Sequence, residues 1–379
     1  MEKRSLFIVS GEESGDLHGA SLMKALRKMA PSLEFSGMGG HRMREAGLKG
    51  LDSKEVSVVG LVEVVEKLPQ ILRSFKALKA LLLSKKFEAV VLIDFPDFNL
   101  RFAKVAKAAG VPVIYYISPQ VWAWRKGRIK KIASLVKKML VVFPFEAGLY
   151  KDAGVDVEYV GHPLADTAEC SLTKEAARAA LGVERGATCV ALLPGSRGGE
   201  VKRILPTLLK AGGLIEKGFK DKPVFLLPAA GGIDDVLLNG FLKDSPVEVR
   251  VIRGQMYSAL RASDAAVVAS GTATLETALI GTPMVIVYKM SPLSYGVAKA
   301  LVRLDHAGLP NIIAGRQVVP ELLQGNASPE NVAREVLQIL TVDKTRGEIL
   351  KAYKGIRLSL GNRGAAEKAA KAVLRVMEA

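Results

Sequence analysis

Ala191-Leu192-Leu193-Pro194-Gly195-Ser196-Arg197-Gly198-Gly199-Glu200 is the stretch that decides the fold. The run Cys189–Leu193 is apolar without interruption, as in a strand covered on both faces. It breaks at Pro194 into a glycine-rich turn, and helical patterning resumes behind it. A strand feeding a glycine turn and then a helix opens a βαβ unit. Working outward, Val224–Pro228, Val247–Ile252, Ala265–Ala269 and Met284–Tyr288 repeat the pattern. In the first half Leu6–Ser10, Ala89–Asp94, Val113–Ile117 and Met139–Phe143 do the same, with helical patterns such as Asp16–Met29 and Phe98–Ala109 between them. The expected class is α/β, with two Rossmann-like, doubly wound domains facing a cleft. The stretch from about His162 to Gly186 carries helix but no strand and reads as the connection. The expected domains are 1–165, 186–340, and a helical segment 341–379 that packs back on an N-terminal domain.

Composition narrows the function classes. The chain has 379 residues, 49% of them hydrophobic, enough for two sizeable cores. Its 54 basic and 38 acidic residues leave a net charge of +16, which favours anionic partners without choosing among them. Two cysteines, Cys170 and Cys189, exclude a disulfide scaffold and fit a reducing compartment. The first apolar run is too short for a signal peptide, and no stretch approaches the roughly 20 apolar residues of a spanning helix. The expectation is a cytoplasmic protein. Basic residues are spread along the chain with no nucleic-acid motif, so no nucleic acid is expected as partner.

The motifs should sit at strand-to-helix junctions, where such sheets bind ligands. Behind Leu193, Ser196 offers a hydroxyl and Arg197 a fork of donors suited to phosphate. The alternative is an ordinary βα turn with a solvated arginine. Ala269-Ser270-Gly271-Thr272-Ala273-Thr274-Leu275-Glu276 repeats the theme. The amides of Gly271, Thr272, Ala273 and Thr274 would lie at a helix N-terminus, a natural anion site. Glu276, one turn on, can accept from ribose hydroxyls or simply complement the helix dipole. Together these junctions suggest a nucleotide diphosphate. There is no GxxxxGK[ST], and Gly37-Met38-Gly39-Gly40-His41-Arg42 begins like a dinucleotide fingerprint but ends in arginine, which disfavours a dehydrogenase.

The first half carries carboxylates instead. Ser10-Gly11-Glu12-Glu13-Ser14-Gly15-Asp16 stands where a phosphate loop would, yet its acids suit hydroxyl recognition or proton removal, unless Ser14 or Asp16 merely caps the helix. In Leu92-Ile93-Asp94-Phe95-Pro96-Asp97-Phe98-Asn99, Asp94 ends an apolar strand, where burial would raise its pKa and make it a base. Asp97 reads as a cap of the next helix or an acceptor contact. Trp122 and Trp124 lie beside Arg125, Lys126 and Arg128; Trp124, Arg125 and Arg128 could hold an acceptor or its phosphate, or the tryptophans could be core. His18, His41, His162 and His306 form no ligand constellation, so no metal and no cofactor is expected. The apolar stretch Val58–Leu81 reads either as a core-facing amphipathic helix or as a lip for acyl chains or a bilayer.

Six motifs then occur in one order: Ser10–Asp16, Ile93–Asn99, Ser118–Trp124, Gly161–Asp166, Leu193–Glu200 and Gly308–Ala314. Together they strongly resemble the lipid-A-disaccharide synthase family of bacterial glycosyltransferases, from near residue 10 to at least Leu323. Glu13 departs from the family's common alanine. The resemblance implies the GT-B architecture and transfer of 2,3-diacylglucosamine from UDP to 2,3-diacylglucosamine 1-phosphate, without a metal, at the cytoplasmic face of the inner membrane. It implies a peripheral enzyme on an anionic inner-membrane surface, and a homodimer by C-terminal exchange. UDP would then lie on Ser196, Arg197 and Gly271–Thr274, with Glu276 on ribose and Asn311 pointing into the cleft. Asp94 would take the proton from the acceptor hydroxyl, with Glu12 as alternative or partner, while Arg197 stabilises the departing UDP. A UDP-N-acetylglucosamine 2-epimerase is the rival on the same fold.

Overall fold

The computed structural model describes residues 4–53, 61–119, 128–290, 305–361 and 363–378. It divides into two compact units, Met1–Pro163 with Leu360–Ala379, and Leu164–Ser359. Each is built on a wholly parallel sheet, because each strand returns to the sheet through a covering crossover. The first unit contains β1 (Ser5–Ser10), β2 (Glu34–Gly39), β3 (Leu48–Asp52), β4 (Ala89–Ile93), β5 (Val113–Tyr116), β6 (Lys138–Val141) and β7 (Val157–Tyr159), in the order β3-β2-β1-β4-β5-β6-β7. The second contains β8 (Cys189–Leu193), β9 (Val224–Ala229), β10 (Val249–Arg253), β11 (Ala265–Ala269), β12 (Met284–Tyr288) and β13 (Glu321–Leu323), in the order β10-β9-β8-β11-β12-β13.

Both central strands are buried along their whole length, which is why they read as continuous apolar runs. Phe7 of β1 anchors the first core by stacking on Phe102 at 5.6 Å and meeting Phe87 edge-on at 5.0 Å. In the second unit the connecting helix Lys174–Ala180 is fixed by Asp264, which accepts from Lys174 (2.5 Å), Arg178 (2.8 Å) and the Cys189 amide (2.9 Å).

The segment 341–379 does not pack as one piece on an N-terminal domain. Helix Asp343–Ser359 buries Ile349, Tyr353 and Ile356 and belongs to the second unit, where Arg357 also donates to the Leu279 carbonyl. Only helix Ala365–Glu378 returns to the first unit. It packs on helix Glu13–Met29 and buries Ala365, Ala369, Ala370 and Ala372, while Arg375 Nη2 donates to both carboxylate oxygens of Glu158 at 2.7 and 2.8 Å. Between these helices Gly361 (φ +78°) and Gly364 (φ +97°) adopt a left-handed backbone that other residues resist.

The helix Leu61–Leu83 covers part of the apolar stretch, and residues 54–60 lie outside the described ones. Its later turns face the core through Ser74, Leu78 and Leu82, whereas Leu68 and Leu72 remain exposed. This portion is therefore an amphipathic cover with a residual apolar edge.

Candidate active site

In each sheet the strand order reverses once, between β1 and β4 and between β8 and β11. The crevice beyond the carboxyl ends at such a point is where doubly wound sheets hold ligands. The register aligns Ser10 with Ile93 in the first sheet and Leu193 with Val268 in the second. The next residues out are Gly11, Glu12 and Asp94 in the first unit. In the second they are Pro194–Arg197 and Ser270–Thr272. Four of the stretches picked out from sequence, Ser10–Asp16, Ile93–Asn99, Leu193–Glu200 and Ala269–Glu276, thus flank the two reversal points.

In the first crevice Asp94 (φ +46°) and Phe95 (φ +49°) are both left-handed, and so is Ile117 (φ +64°) at the end of the adjacent β5. Such residues cost of the order of 1–3 kcal/mol each and persist only when their surroundings impose them. The Phe95 ring lies against Gly11, where an added Cβ would stand 2.3 Å from it, and stacks on Phe98 at 5.3 Å. The Asp94 amide donates to the Tyr116 carbonyl at 3.1 Å. Burial, and then the nearby Glu12 carboxylate, push the Asp94 carboxyl up to about 7, against a hydrogen bond from the Phe95 amide. A carboxyl in that range can take a proton near neutrality and later return it. Glu12 occupies the N-cap of helix Glu13–Met29 without capping it by its side chain.

Two expectations change here. Asp16 does not cap its own helix: it accepts from the amides of Arg42 and Met43, each at 3.0 Å, and so closes the N-terminus of helix His41–Glu45. The glycine turn resembling a dinucleotide fingerprint is thereby filled by a protein carboxylate. Asp97 is exposed in the first turn of helix Pro96–Ala108, whose N-cap is Phe95, so it complements the dipole without capping. Trp124 and Arg125 lie outside the described residues, as does the side chain of Arg128, which opens helix Arg128–Ala133. His18 and His162 are buried in this unit, and desolvation lowers them to about 4 and about 3, the second also repelled by the first.

In the second crevice Gly195 (φ +119°) turns the chain, and Ser196 and Arg197 stand exposed at the mouth of helix Gly198–Glu216. Glu200 organises this loop, accepting from the Ser196 amide (3.1 Å) and from Arg197 Nη1 (3.3 Å). Sequence reasoning passed over Glu200, although its place three residues after the N-cap is the signal of a reciprocal cap. Opposite, Gly271 (φ +149°) precedes helix Thr272–Ile280, and the Thr272 and Ala273 amides open that helix without intrahelical acceptors. Thr274 differs from expectation: it is fully buried, and its hydroxyl (2.7 Å) and amide (3.1 Å) both return to the Gly271 carbonyl. Its role is to shape the turn. Glu276 accepts from the Tyr257 hydroxyl at 2.7 Å, and burial raises its carboxyl.

Asn311 also departs from expectation, for its side chain is turned into the protein. It is fully buried, donates to the Val319 carbonyl (2.9 Å) and Glu321 (2.7 Å), and accepts from the Val318 (2.7 Å) and Val319 (3.0 Å) amides. That fills all its hydrogen-bonding capacity. Glu321 in turn accepts from the Ala307 and Gly308 amides, so the pair braces the Gly-Leu-Pro-Asn segment. Among the described residues no group of three or more His, Cys, Asp and Glu is placed to hold a metal, and no helix is long and apolar enough to cross a membrane.

A family model described as lipid-A-disaccharide synthetase matches residues 6–376. The chain belongs to the lipid-A-disaccharide synthase family. It is 48% identical over 381 residues to the lipid-A-disaccharide synthase of Syntrophus aciditrophicus (strain SB), covering 100% of this chain and 99% of that one. Family membership makes it an enzyme, a glycosyltransferase of lipid A biosynthesis. Among solved structures, a putative UDP-N-acetylglucosamine 2-epimerase from Listeria monocytogenes aligns with a TM-score of 0.66 at 12% identity, over 100% of this chain and 96% of that one. A UGT transferase from Siraitia grosvenorii in complex with UDP aligns with a TM-score of 0.62 at 14% identity, over 100% of both chains. These likenesses carry the fold alone, two doubly wound units of the GT-B class.

Proposed function

We propose that this family member transfers 2,3-diacylglucosamine from UDP to the 6-hydroxyl of 2,3-diacylglucosamine 1-phosphate in one inverting displacement, giving the β-1′,6-linked disaccharide and UDP. The observation that carries the reading is the pairing of opposite chemistries on the two reversal points. The first unit offers a carboxyl raised to about 7 beside a second acid. The second offers Ser196, Arg197 and open helix amides, which suit a diphosphate.

Asp94 accepts the proton of the acceptor hydroxyl, with Glu12 tuning it by charge or sharing the role. The freed oxygen displaces UDP at the anomeric carbon, and the configuration inverts. Negative charge grows on the departing diphosphate, where Arg197 and the amides of Thr272 and Ala273 meet it; preorganised donors of this kind do the work a metal does elsewhere. Glu276 takes the ribose hydroxyls. Exposed Leu68 and Leu72, with the charge of +16, support peripheral attachment to an anionic inner leaflet. Exchange of the C-terminal part between two copies would use the left-handed Gly361 and Gly364 as its hinge.

The test is UDP release from UDP-2,3-diacylglucosamine in detergent micelles and EDTA, with and without the acylated 1-phosphate. Acceptor-dependent release with a disaccharide product supports the reading. Release that ignores the acceptor, or that EDTA abolishes, refutes the acceptor or the metal-free step. Sedimentation with anionic vesicles at low salt, lost at high salt, checks the attachment, and light scattering after gel filtration checks the dimer.

A further inference from the structure

Asp94 stands on a backbone that it would not adopt unaided, and two side chains hold that backbone from below. Tyr115, in the middle of β5 and fully buried, donates its hydroxyl to the Asp94 carbonyl at 2.6 Å. Asn99, fully buried in the first turns of the next helix, donates to the same carbonyl at 2.7 Å and to the Ile93 carbonyl at 3.1 Å. With the Asp94 amide tied to Tyr116, both ends of the residue are fixed to protein. The following Phe95 is trapped between Gly11 and Phe98. No ordinary strand end needs this many restraints, and a hydroxyl spent on a carbonyl at a left-handed turn selects the conformation as well as satisfying the acceptor.

We propose that Tyr115 and Asn99 are positioning residues for Asp94: their two donors clamp its carbonyl, keep Asp94 and Phe95 left-handed, and so hold the carboxyl in its sheltered place beside Glu12. This rests on the reading of Asp94 as the base but concerns groups that touch no substrate. Glu12, beyond β1, acts on the carboxyl by charge, and Tyr115 on β5 lies near Asp94, Tyr150 and Asp97. Without the clamp the Asp94 peptide can rotate toward the commoner extended conformation. The carboxyl then gains water and its pKa drops toward the ordinary carboxylate range.

Tyr115→Phe removes one oxygen from a buried ring and nothing else. Two readouts follow. In spectra of the enzyme labelled with ¹³Cγ-aspartate, with the Asp94 line assigned by its loss in Asp94→Asn, the titration of that line should move down by about a pH unit or more in Tyr115→Phe. In acceptor-dependent UDP release, kcat should fall about tenfold with both KM values within about twofold, and the loss should vanish when Asp94 is already Asn. Asn99→Ala should do the same and stands in if Tyr115→Phe does not fold. An unmoved titration, or a further tenfold loss on top of Asp94→Asn, overturns the clamp and leaves Tyr115 a packing residue. Parental activity in Asp94→Asn would instead defeat the base assignment, and the titration alone would then decide the clamp.

Discussion

The two sheets reverse strand order at equivalent places, yet the crevices there are built from opposite materials. The β1/β4 crevice has two acids, three strained backbone residues and a phenylalanine wedged on a glycine. The β8/β11 crevice has an arginine, open helix amides and glycines that turn the chain. Topology supplies the location in both cases, and residue type alone suits one to a proton and the other to a phosphate, as the proposed reaction requires. The difference extends to cost. Left-handed non-glycine residues strain the first crevice, whereas in the second that geometry falls on Gly195 and Gly271.

The largest expected effect lies in the first crevice. Asp94→Asn should lower kcat for acceptor-dependent UDP release by about 10²–10⁴-fold, while UDP affinity, measured by calorimetry, stays within about twofold. Arg197→Ala should do the converse, weakening UDP binding and costing roughly 10²-fold in rate. Arg197→Lys should recover only part, since lysine keeps the charge but not the fork. If Asp94→Asn weakened UDP as much as Arg197→Ala, the division of labour between the crevices would collapse.

Much of this division was legible in the sequence. Strands β1, β4, β5, β6, β8, β9, β11 and β12 announce themselves as apolar runs because both faces are covered. Strands β2 and β3 do not, because Gly37 and Gly50 interrupt them and are paired in register. Glycine in a strand usually signals a break, but here a Cβ at Gly37 would stand 2.0 Å from the Ile8 carbonyl, and one at Gly50 would stand 2.1 Å from the Gly37 carbonyl. Only the assembled sheet reveals that need. Asp94 and Arg197 could be placed at strand ends because each lies just beyond a buried strand, one residue after Ile93 and four after Leu193. Asn311 and Thr274 were misread because a polar residue in a motif looks the same whether it faces a ligand or braces a turn; its partners Val318, Val319 and Glu321 lie seven to ten residues away. Tyr115 could not be found at all, since an aromatic inside an apolar strand gives no hint that its hydroxyl meets Asp94.

A smaller effect separates the crevices by stability. The Asp94 carboxyl titrates at about 7 in the folded chain against about 4 when unfolded. Between those values the folded chain keeps a proton that the unfolded chain has released, so stability falls as pH rises through the window, and the full cost is present above pH 7. Asp94→Asn removes that ionisation. It should stabilise the protein at pH 8 by about 2 kcal/mol, roughly half of what the whole shift represents. At pH 4 parent and variant should coincide in denaturant titrations. Arg197→Ala, at an exposed site, should leave stability unchanged at both pH values. The active carboxyl would then be a cost the fold carries for function.

The smallest effect tests the second crevice on its own terms. Glu276→Gln preserves size and keeps an oxygen to accept from Tyr257, so the fold and that 2.7 Å contact should survive. What it loses is the negative charge. If that carboxylate accepts from ribose hydroxyls, UDP affinity should fall about fivefold, as expected for one charge-assisted hydrogen bond. The affinity for 2′-deoxy-UDP, which lacks one of those hydroxyls, should fall less, so the preference between the two nucleotides narrows in the variant. An unchanged preference would mean that Glu276 serves only Tyr257 and the helix. The second crevice would then recognise the diphosphate alone, and nucleoside selection would have to come from elsewhere in the unit.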